Sequence, residues 1–259
     1  MIDVLLLARA GPIAILTLNR PDKRNALTAA MWRALPEQLA DLAGDPEVLS
    51  LIVTGAGAHF AGGADIGEFP EVYATADSAR AYSDAVQVAG AALAAFPKPT
   101  LAQIRGACVG GGCGLALACD LRFADDTARL GITPGKLGLA YTLADTKRLV
   151  DAVGPAAAKD ILFSGRLVDA REAYRLRLVD RVVAPDALDA TVREYLNGLA
   201  AVSQFSIRAM KATISAIQAG QTSPGEADMA RYLDGFRGED FQEGYSAFLA
   251  KRPPRFTFR

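Results

Sequence analysis

The chain is poor in the side chains that most often announce a function by themselves. It has one histidine, His59, one tryptophan, Trp32, and three cysteines among 259 residues. The cysteines, Cys108, Cys113 and Cys119, fall in one short segment and form no Cys-x-x-Cys pair. That excludes the usual metal and redox spacings and fits reduced thiols in a cytosolic protein, so no metal site is expected. Net charge is nearly absent too, with 28 basic against 29 acidic side chains. No long-range field draws such a chain to nucleic acid or to an anionic membrane, and any anionic ligand must be met locally. No apolar run approaches the roughly 20 residues of a membrane-spanning helix. The apolar opening, residues 1–18, is cut by Asp3, Arg9, Gly11 and Pro12, which spoils a signal-peptide core. A soluble, cytoplasmic protein is the expectation. Internal repeats and low-complexity linkers are missing as well.

What is present is a large apolar fraction, 51% of residues, enough for one sizeable core or a core with an appendage. Residues 2–8 and 13–18 read as a β-hairpin around Ala10-Gly11-Pro12. Thr28 can cap a helix whose apolar positions, Met31, Leu35, Leu39 and Leu42, recur at helical spacing, with Pro36 a candidate bend. Strands are expected at 49–53, 100–104 and 121–124, and helices at 77–96 and from Gly112 through Leu117. Beyond Gly154-Pro155 helices are expected at 156–163, 169–176, 186–199, 207–217 and 224–236. The sheet therefore belongs to the N-terminal part, giving an α/β core, residues 1–200, followed by a helical region, 201–259.

The most informative segment is Gly106-Ala107-Cys108-Val109-Gly110-Gly111-Gly112-Cys113-Gly114, between a predicted strand and a predicted helix. The first turn of a helix carries N–H groups without intrahelical partners, and glycines let a substrate approach that backbone. The same glycines could simply make a tight turn and let a helix pack closely on a sheet. A dinucleotide fingerprint fails on spacing, because the third glycine would fall at Leu115 or Leu117. No Walker lysine follows, and no serine stands in a Gly-x-Ser-x-Gly frame. A second loop, Phe60-Ala61-Gly62-Gly63-Ala64-Asp65-Ile66, has the same small-residue character, and Asp65 can cap the turn after it. Two such loops after two strands can aim two N–H groups at one oxygen.

Four blocks in order, Leu18-Asn19-Arg20-Pro21 with Asn25-Ala26-Leu27, the Phe60 to Ile66 loop, Gly110-Gly111-Gly112-Cys113 with Cys119-Asp120, and Gly244-Tyr245-Ser246-Ala247-Phe248-Leu249 with Lys251-Arg252, resemble the crotonase, or enoyl-CoA hydratase/isomerase, superfamily. The resemblance implies a crotonase-like (ClpP/crotonase) α/β fold of repeated ββα units with a helical C-terminal trimerisation region, assembled as a homotrimer or a dimer of trimers. It also implies an acyl-CoA thioester substrate, with no cofactor beyond the CoA that the substrate carries. By position, the amides of Ala64 and Gly111 would form an oxyanion hole and Asp65 would stiffen its loop. Lys23 or Arg24, and Lys251, would lie toward CoA phosphates. Ala26, Ala61, Ile66 and Gly110 would line the substrate beside them.

The chain also departs from that family. Hydratases use two glutamates as acid and base, and the matching positions here are Gly114 and Pro134, neither of which can move a proton. A non-hydratase reaction such as decarboxylation or isomerisation is therefore favoured, with hydration by other groups or silent acyl-CoA binding as alternatives. The run Thr133-Pro134-Gly135-Lys136-Leu137-Gly138-Leu139-Ala140-Tyr141 resembles methylmalonyl-CoA decarboxylases, where a tyrosine at the Tyr141 position lies in the active site. Those enzymes differ in having histidine where Ala64 stands and an acid where Gly114 stands. Tyr141 is the candidate catalytic side chain, or else a packing residue at a helix start. Asp145, Glu68 and Glu71 could each reach the pocket but read better as solvated charges, and His59 as a residue pointing away from substrate.

Overall fold

A computed structural model describes residues 4–258. Aliphatic residues fill Leu5–Ala10 (β1) and Ile13–Leu18 (β2), which pair antiparallel around Gly11 and Pro12. The expected beginning of this hairpin at Ile2 lies outside the described residues. Thr28 caps Ala29–Gly44 (α1) by accepting the Met31 N–H, and Met31, Trp32, Leu35, Leu39 and Leu42 form the buried stripe. Each such side chain contributes about 1.5–3 kcal/mol on burial. Pro36 sits inside the helix, which runs past it unbroken.

Three units of one pattern follow, each a strand of a large sheet, a short strand or bridge of a second sheet, and a helix. The first comprises Ser50–Gly55 (β3), bridge residues Ala61 and Ala64, Phe69–Val72 (α2) and Ala76–Ala94 (α3). The second is Thr100–Ile104 (β4), Ala107–Val109 (β5) and Gly111–Ala118 (α4). The third is Leu121–Asp125 (β6), Arg129–Gly131 (β7) and Leu143–Ser164 (α5). Val168–Asp169 (β8), Ala170–Arg175 (α6), Arg181–Val183 (β9) and the helices Leu188–Ala200 (α7), Gln204–Gln218 (α8), Glu226–Arg237 (α9) and Glu239–Leu249 (α10) complete the chain.

The large sheet has the order β1-β2-β3-β4-β6-β9, parallel except for the first pair; the small one is β5-β7-β8. Alternation along β3 sends Leu51 and Val53 into the main core with α1, α3 and α4, and Ile52 to the opposite face, where Leu188, Val192 and Leu196 of α7 cover it. The α/β class thus stands as expected. Beyond Gly154-Pro155, where only helices were expected, the short strands β8 and β9 appear, β9 as an edge strand of the large sheet at residue 181. Strands of two or three residues, such as β5, β7, β8 and β9, are too short to display a period-2 pattern. The helix expected only after Pro155 begins at Leu143 instead, its two halves joined across Gly154, which has φ 77°. α10 was not expected at all. No helix among the described residues is long and apolar enough to cross a membrane.

The last three helices leave much apolar surface uncovered. Ile214 and Ile217 on α8, Tyr232 and Phe236 on α9, and Tyr245 and Phe248 on α10 are each more than half exposed. A cavity of about 1000 Å³ lies among these helices and residues 256–258.

Candidate functional site

The small sheet explains why the two glycine-rich loops meet. Ala61 bridges Cys108 of β5, donating its N–H to the Ala107 carbonyl at 2.9 Å and accepting from Val109 N–H at 3.0 Å. The chain beside β5 then passes through Gly62 and Gly63 to Ala64, while β5 itself passes through Gly110 into α4. Leu27 flanks the other side. It donates to Gly63 O at 2.7 Å and accepts from Asp65 N–H at 2.9 Å. In a parallel bridge those two bonds involve the residues on either side of Ala64, so the Ala64 N–H points away from Leu27. Among the described residues it has no protein acceptor. The same holds for the Gly111 N–H, which opens α4 and belongs to the helix turn that has no intrahelical acceptors.

The two N–H groups are close. A Cβ added at Gly111 would lie 3.9 Å from the Ala64 nitrogen and 3.0 Å from Cζ2 of Trp32. The backbones touch nearby as well: Gly63, at φ 108°, would bring a Cβ within 3.1 Å of the Val109 carbonyl oxygen, and Gly110 has φ 53°. Only glycine combines that conformation with that approach. Ala64 and Gly111 remain partly exposed. A cavity of about 670 Å³ backs onto the far end of α4, at residues 117–119, and includes neither.

Side chains fix this backbone from below. Asp65 caps the turn Ile66–Glu68, accepting the Gly67 N–H at 3.0 Å, and pairs with Arg20 at 2.8 Å. The Arg20 guanidinium holds its carboxyl below the ordinary carboxylate value. Arg20 also donates to Ala26 O at 2.7 Å, and Gly62 N–H donates to Arg24 O at 2.7 Å. Asn25, fully buried at φ 56°, donates to Ala56 O at 2.9 Å and His59 O at 2.7 Å and accepts from Arg20 N–H. Glu68 accepts the Ala29 N–H at 2.7 Å and so caps α1, rather than being a free surface charge. His59 accepts the Ala107 N–H through Nδ1 at 3.1 Å; it buttresses β5.

Tyr141 closes the other side. Its hydroxyl donates to Gly110 O at 3.5 Å, a long contact, and a Cβ at Gly114 would stand 2.7 Å from that hydroxyl and 3.3 Å from Oδ1 of Asp145. Burial, then the Asp145 charge and the Cys113 thiol, push the phenol well above its usual value. Asp145 corrects an expectation. It is 8% exposed, with Oδ1 accepting from Arg148 at 2.8 Å and Oδ2 accepting the Thr142 hydroxyl at 2.8 Å. Its pairing with Arg148 is an ordinary i,i+3 helix contact, which goes unread when the helix is expected only from residue 156.

Of the residues expected at the site, Arg24, Ala26, Ala61, Ala64, Asp65, Gly110, Gly111, Gly114 and Tyr141 are joined by these contacts. Pro134 begins the short helical turn Pro134–Leu137, and its carbonyl accepts the Leu139 N–H at 3.0 Å on the approach to Tyr141. Lys23 and Ile66 are exposed on the loops themselves. Lys251 is exposed at the end of α10, and no hydrogen bond or ion pair among the described residues links it to the glycine loops. Sequence reasoning gave no role to Arg20, Asn25, Trp32 or Arg148. A polar residue at a loop position that favours positive φ was the one available signal for Asn25.

The chain is similar to known proteins over nearly its whole length. A sequence profile for enoyl-CoA hydratase/isomerase matches residues 8–259. The chain is 34% identical over 259 residues to a 2,3-dehydroadipyl-CoA hydratase of Escherichia coli, covering 98% of this chain and 99% of that one. Among solved structures, it is similar to an enoyl-CoA hydratase/isomerase family protein from Hyphomonas neptunium, at 46% identity and TM-score 0.96, covering 99% of this chain and 98% of that one. It is likewise similar to an enoyl-CoA hydratase/carnithine racemase from Magnetospirillum magneticum, at 39% identity and TM-score 0.94, covering 100% and 97%. With the profile spanning nearly its whole length and the fold reproduced throughout, the chain belongs to the enoyl-CoA hydratase/isomerase family, whose crotonase fold it has.

Proposed function

We propose that this acyl-CoA enzyme forms a thioester enolate held by the Ala64 and Gly111 N–H groups as an oxyanion hole, and that it removes carbon dioxide from a malonyl-type thioester. The observation that carries the reading is the volume above Gly114. Gly114 on α4, which we take as the place of a hydratase glutamate, has no side chain, and the Tyr141 hydroxyl stands 2.7 Å from where its Cβ would be. Pro134, which we take as the place of the second glutamate, offers no proton either. Water addition and double-bond isomerisation both need a positioned base, worth typically about 10²–10⁴-fold. Decarboxylation does not. The bond between the α-carbon and the carboxylate breaks, its electron pair moves into the enolate, and carbon dioxide leaves. Tyr141 then gives its proton to the α-carbon and regains one from solvent. Two preorganised donors stabilise the enolate oxygen, and losing either would cost about 10²–10³ in kcat.

CoA enters and leaves with the substrate, so no resident cofactor is required, and Lys23, Arg24 and Lys251 are assigned to its phosphates. The uncovered apolar faces of α8, α9 and α10 fit a homotrimer or a dimer of trimers, to be read by light scattering in solution. A second reading is hydration with Tyr141 and Asp145 in place of the two glutamates. It is favoured by the hydratase relative at 34% identity and by the approach of Asp145 to Gly114. Mass spectrometry of a panel of enoyl-, malonyl-type and hydroxyacyl-CoA thioesters, with wild type and Tyr141→Phe, separates the readings. Steady-state release of carbon dioxide slowed about 10²–10⁴-fold by Tyr141→Phe, because the enolate then waits for its proton, is expected. Hydration of an enoyl-CoA at ordinary enzyme rates would overturn the decarboxylase reading, and binding without any turnover would reduce the protein to an acyl-CoA carrier.

A further inference from the structure

A row of charged and polar groups runs from α3 to the site, and two helices carry glycine where it passes. Arg148 lies against Gly90 in the middle of α3, where an added Cβ would stand 3.2 Å from its Nη1. The same Nη1 donates to Asp145 Oδ1 at 2.8 Å. Asp145 Oδ1 and the Tyr141 hydroxyl then both approach the empty Cβ position of Gly114 on α4. Glycine inside a helix costs about 1 kcal/mol against alanine, and neither Gly90 nor Gly114 has the positive φ that would otherwise require it. Space for the row is what the two glycines have in common.

We infer that Asp145, clamped between Arg148 and Thr142, is a positioning residue for the Tyr141 hydroxyl, so that the carboxylate missing from α4 is supplied from the first turn of α5. This rests on the assignment of Tyr141 as the proton donor. The clamp is made at both oxygens, because Thr142 donates its hydroxyl to Oδ2 at 2.8 Å while accepting the Asp145 N–H at 3.1 Å. These bonds hold Asp145 Oδ1 at the Gly114 Cβ position that the Tyr141 hydroxyl also approaches. The groups facing Tyr141 are Asp145 and Arg148 from α5, the Cys113 thiol from α4 and the Cys108 thiol from β5. Of these the carboxylate is the fixed negative charge, and it opposes formation of a phenolate. A tyrosine that acts by giving up a proton needs that bias between turnovers.

The test is Asp145→Asn, with Asp145→Glu as the conservative rescue, and it reads two quantities. One is the ionisation of Tyr141, followed by NMR of ring-labelled tyrosine with the signal identified through Tyr141→Phe. The other is the alkaline limb of the kcat profile. Asp145→Asn is expected to move both toward lower pH and to reduce kcat about tenfold to a hundredfold, the scale of a misplaced catalytic group, with KM little changed. Asp145→Glu should restore part of each. If Asp145→Asn does not fold, Gly90→Ala serves instead: it pushes Arg148 off the carboxylate, and both quantities should move toward higher pH. An unmoved Tyr141 ionisation and an unmoved alkaline limb in a folded variant would overturn the inference. If Tyr141→Phe leaves turnover intact, the proposed function fails instead, and the NMR titration still shows whether the two groups are coupled.

Discussion

Gly114→Ala is the smallest perturbation that separates space from chemistry at this site. The new methyl would stand 2.7 Å from the Tyr141 hydroxyl oxygen and 3.3 Å from Asp145 Oδ1. An ordinary carbon–oxygen contact is about 3.3–3.6 Å, so the phenol must retreat by more than half an ångström while the carboxylate shifts slightly. Overpacking of this kind costs about 1–3 kcal/mol, and replacing a helical glycine by alanine returns about 1 kcal/mol. The net loss of stability is then about 0–2 kcal/mol, small enough to leave the variant folded. Activity should fall much further, by about 10²-fold, because a displacement approaching 1 Å at a catalytic group has that effect. The double variant Gly114→Ala/Tyr141→Phe removes the hydroxyl that the methyl strikes. Relative to Tyr141→Phe alone it should be as stable or up to about 1 kcal/mol more stable, with no further loss of turnover. Urea unfolding and steady-state kinetics on the four proteins of this cycle give both answers. If Gly114→Ala in the wild-type background raised stability by the full alanine increment and left kcat unchanged, the placement of Tyr141 over Gly114 would be refuted.

Three other outcomes follow from the same geometry. Gly63→Ala should destabilise by about 1–3 kcal/mol and depress kcat, since Gly63 has φ 108° and its Cβ would meet the Val109 carbonyl at 3.1 Å; Gly62→Ala, with ordinary φ and contacts no nearer than 3.4 Å, should change little. Asp65→Asn should lose about 1–2 kcal/mol at pH 7 by giving up the Arg20 pair and weakening the turn cap. Because Asp65 titrates below its ordinary value of 3.8, that contribution is fully present above pH 4 and lost as pH falls through the folded value, so the two unfolding curves should converge in acid. Trp32 is the sole tryptophan and lies against Gly111; its emission should change on saturation with a CoA thioester, in wild type and in Tyr141→Phe alike.

The parts of this account legible in the sequence are those that repeat or that require a special residue. The aliphatic runs of β2, β3 and β4 and the stripe of α1 carry their own periodicity, Gly63 and Gly111 mark backbone that a side chain would crowd, and Gly110 marks a positive φ. Asp65 and Thr28 were readable as caps because capping acts within three residues. Short strands were not readable: β5 exists because Ala61 and β7 lie on either side of it, a relation between residues far apart in the chain. The partners of Asp145 are local, Thr142 and Arg148 three residues to either side, but its surroundings are not. On its own it is an acid in the first turn of a helix, and only the packing of α3, α4 and α5 shows that Gly90 and Gly114 have made room for it and its arginine. Asn25 bonds across more than thirty residues, to Ala56 and His59, and no local pattern announces that.

The central claim is that the chain holds an enolate without a carboxylate on α4 and protonates it from Tyr141. Its most direct test is the rate of carbon dioxide release from a malonyl-type CoA thioester, compared with the rate of crotonyl-CoA hydration, in wild type and Tyr141→Phe. Decarboxylation should fall about 10²–10⁴-fold in Tyr141→Phe, with negligible hydration by either protein. Efficient hydration that survives the loss of the Tyr141 hydroxyl would contradict it.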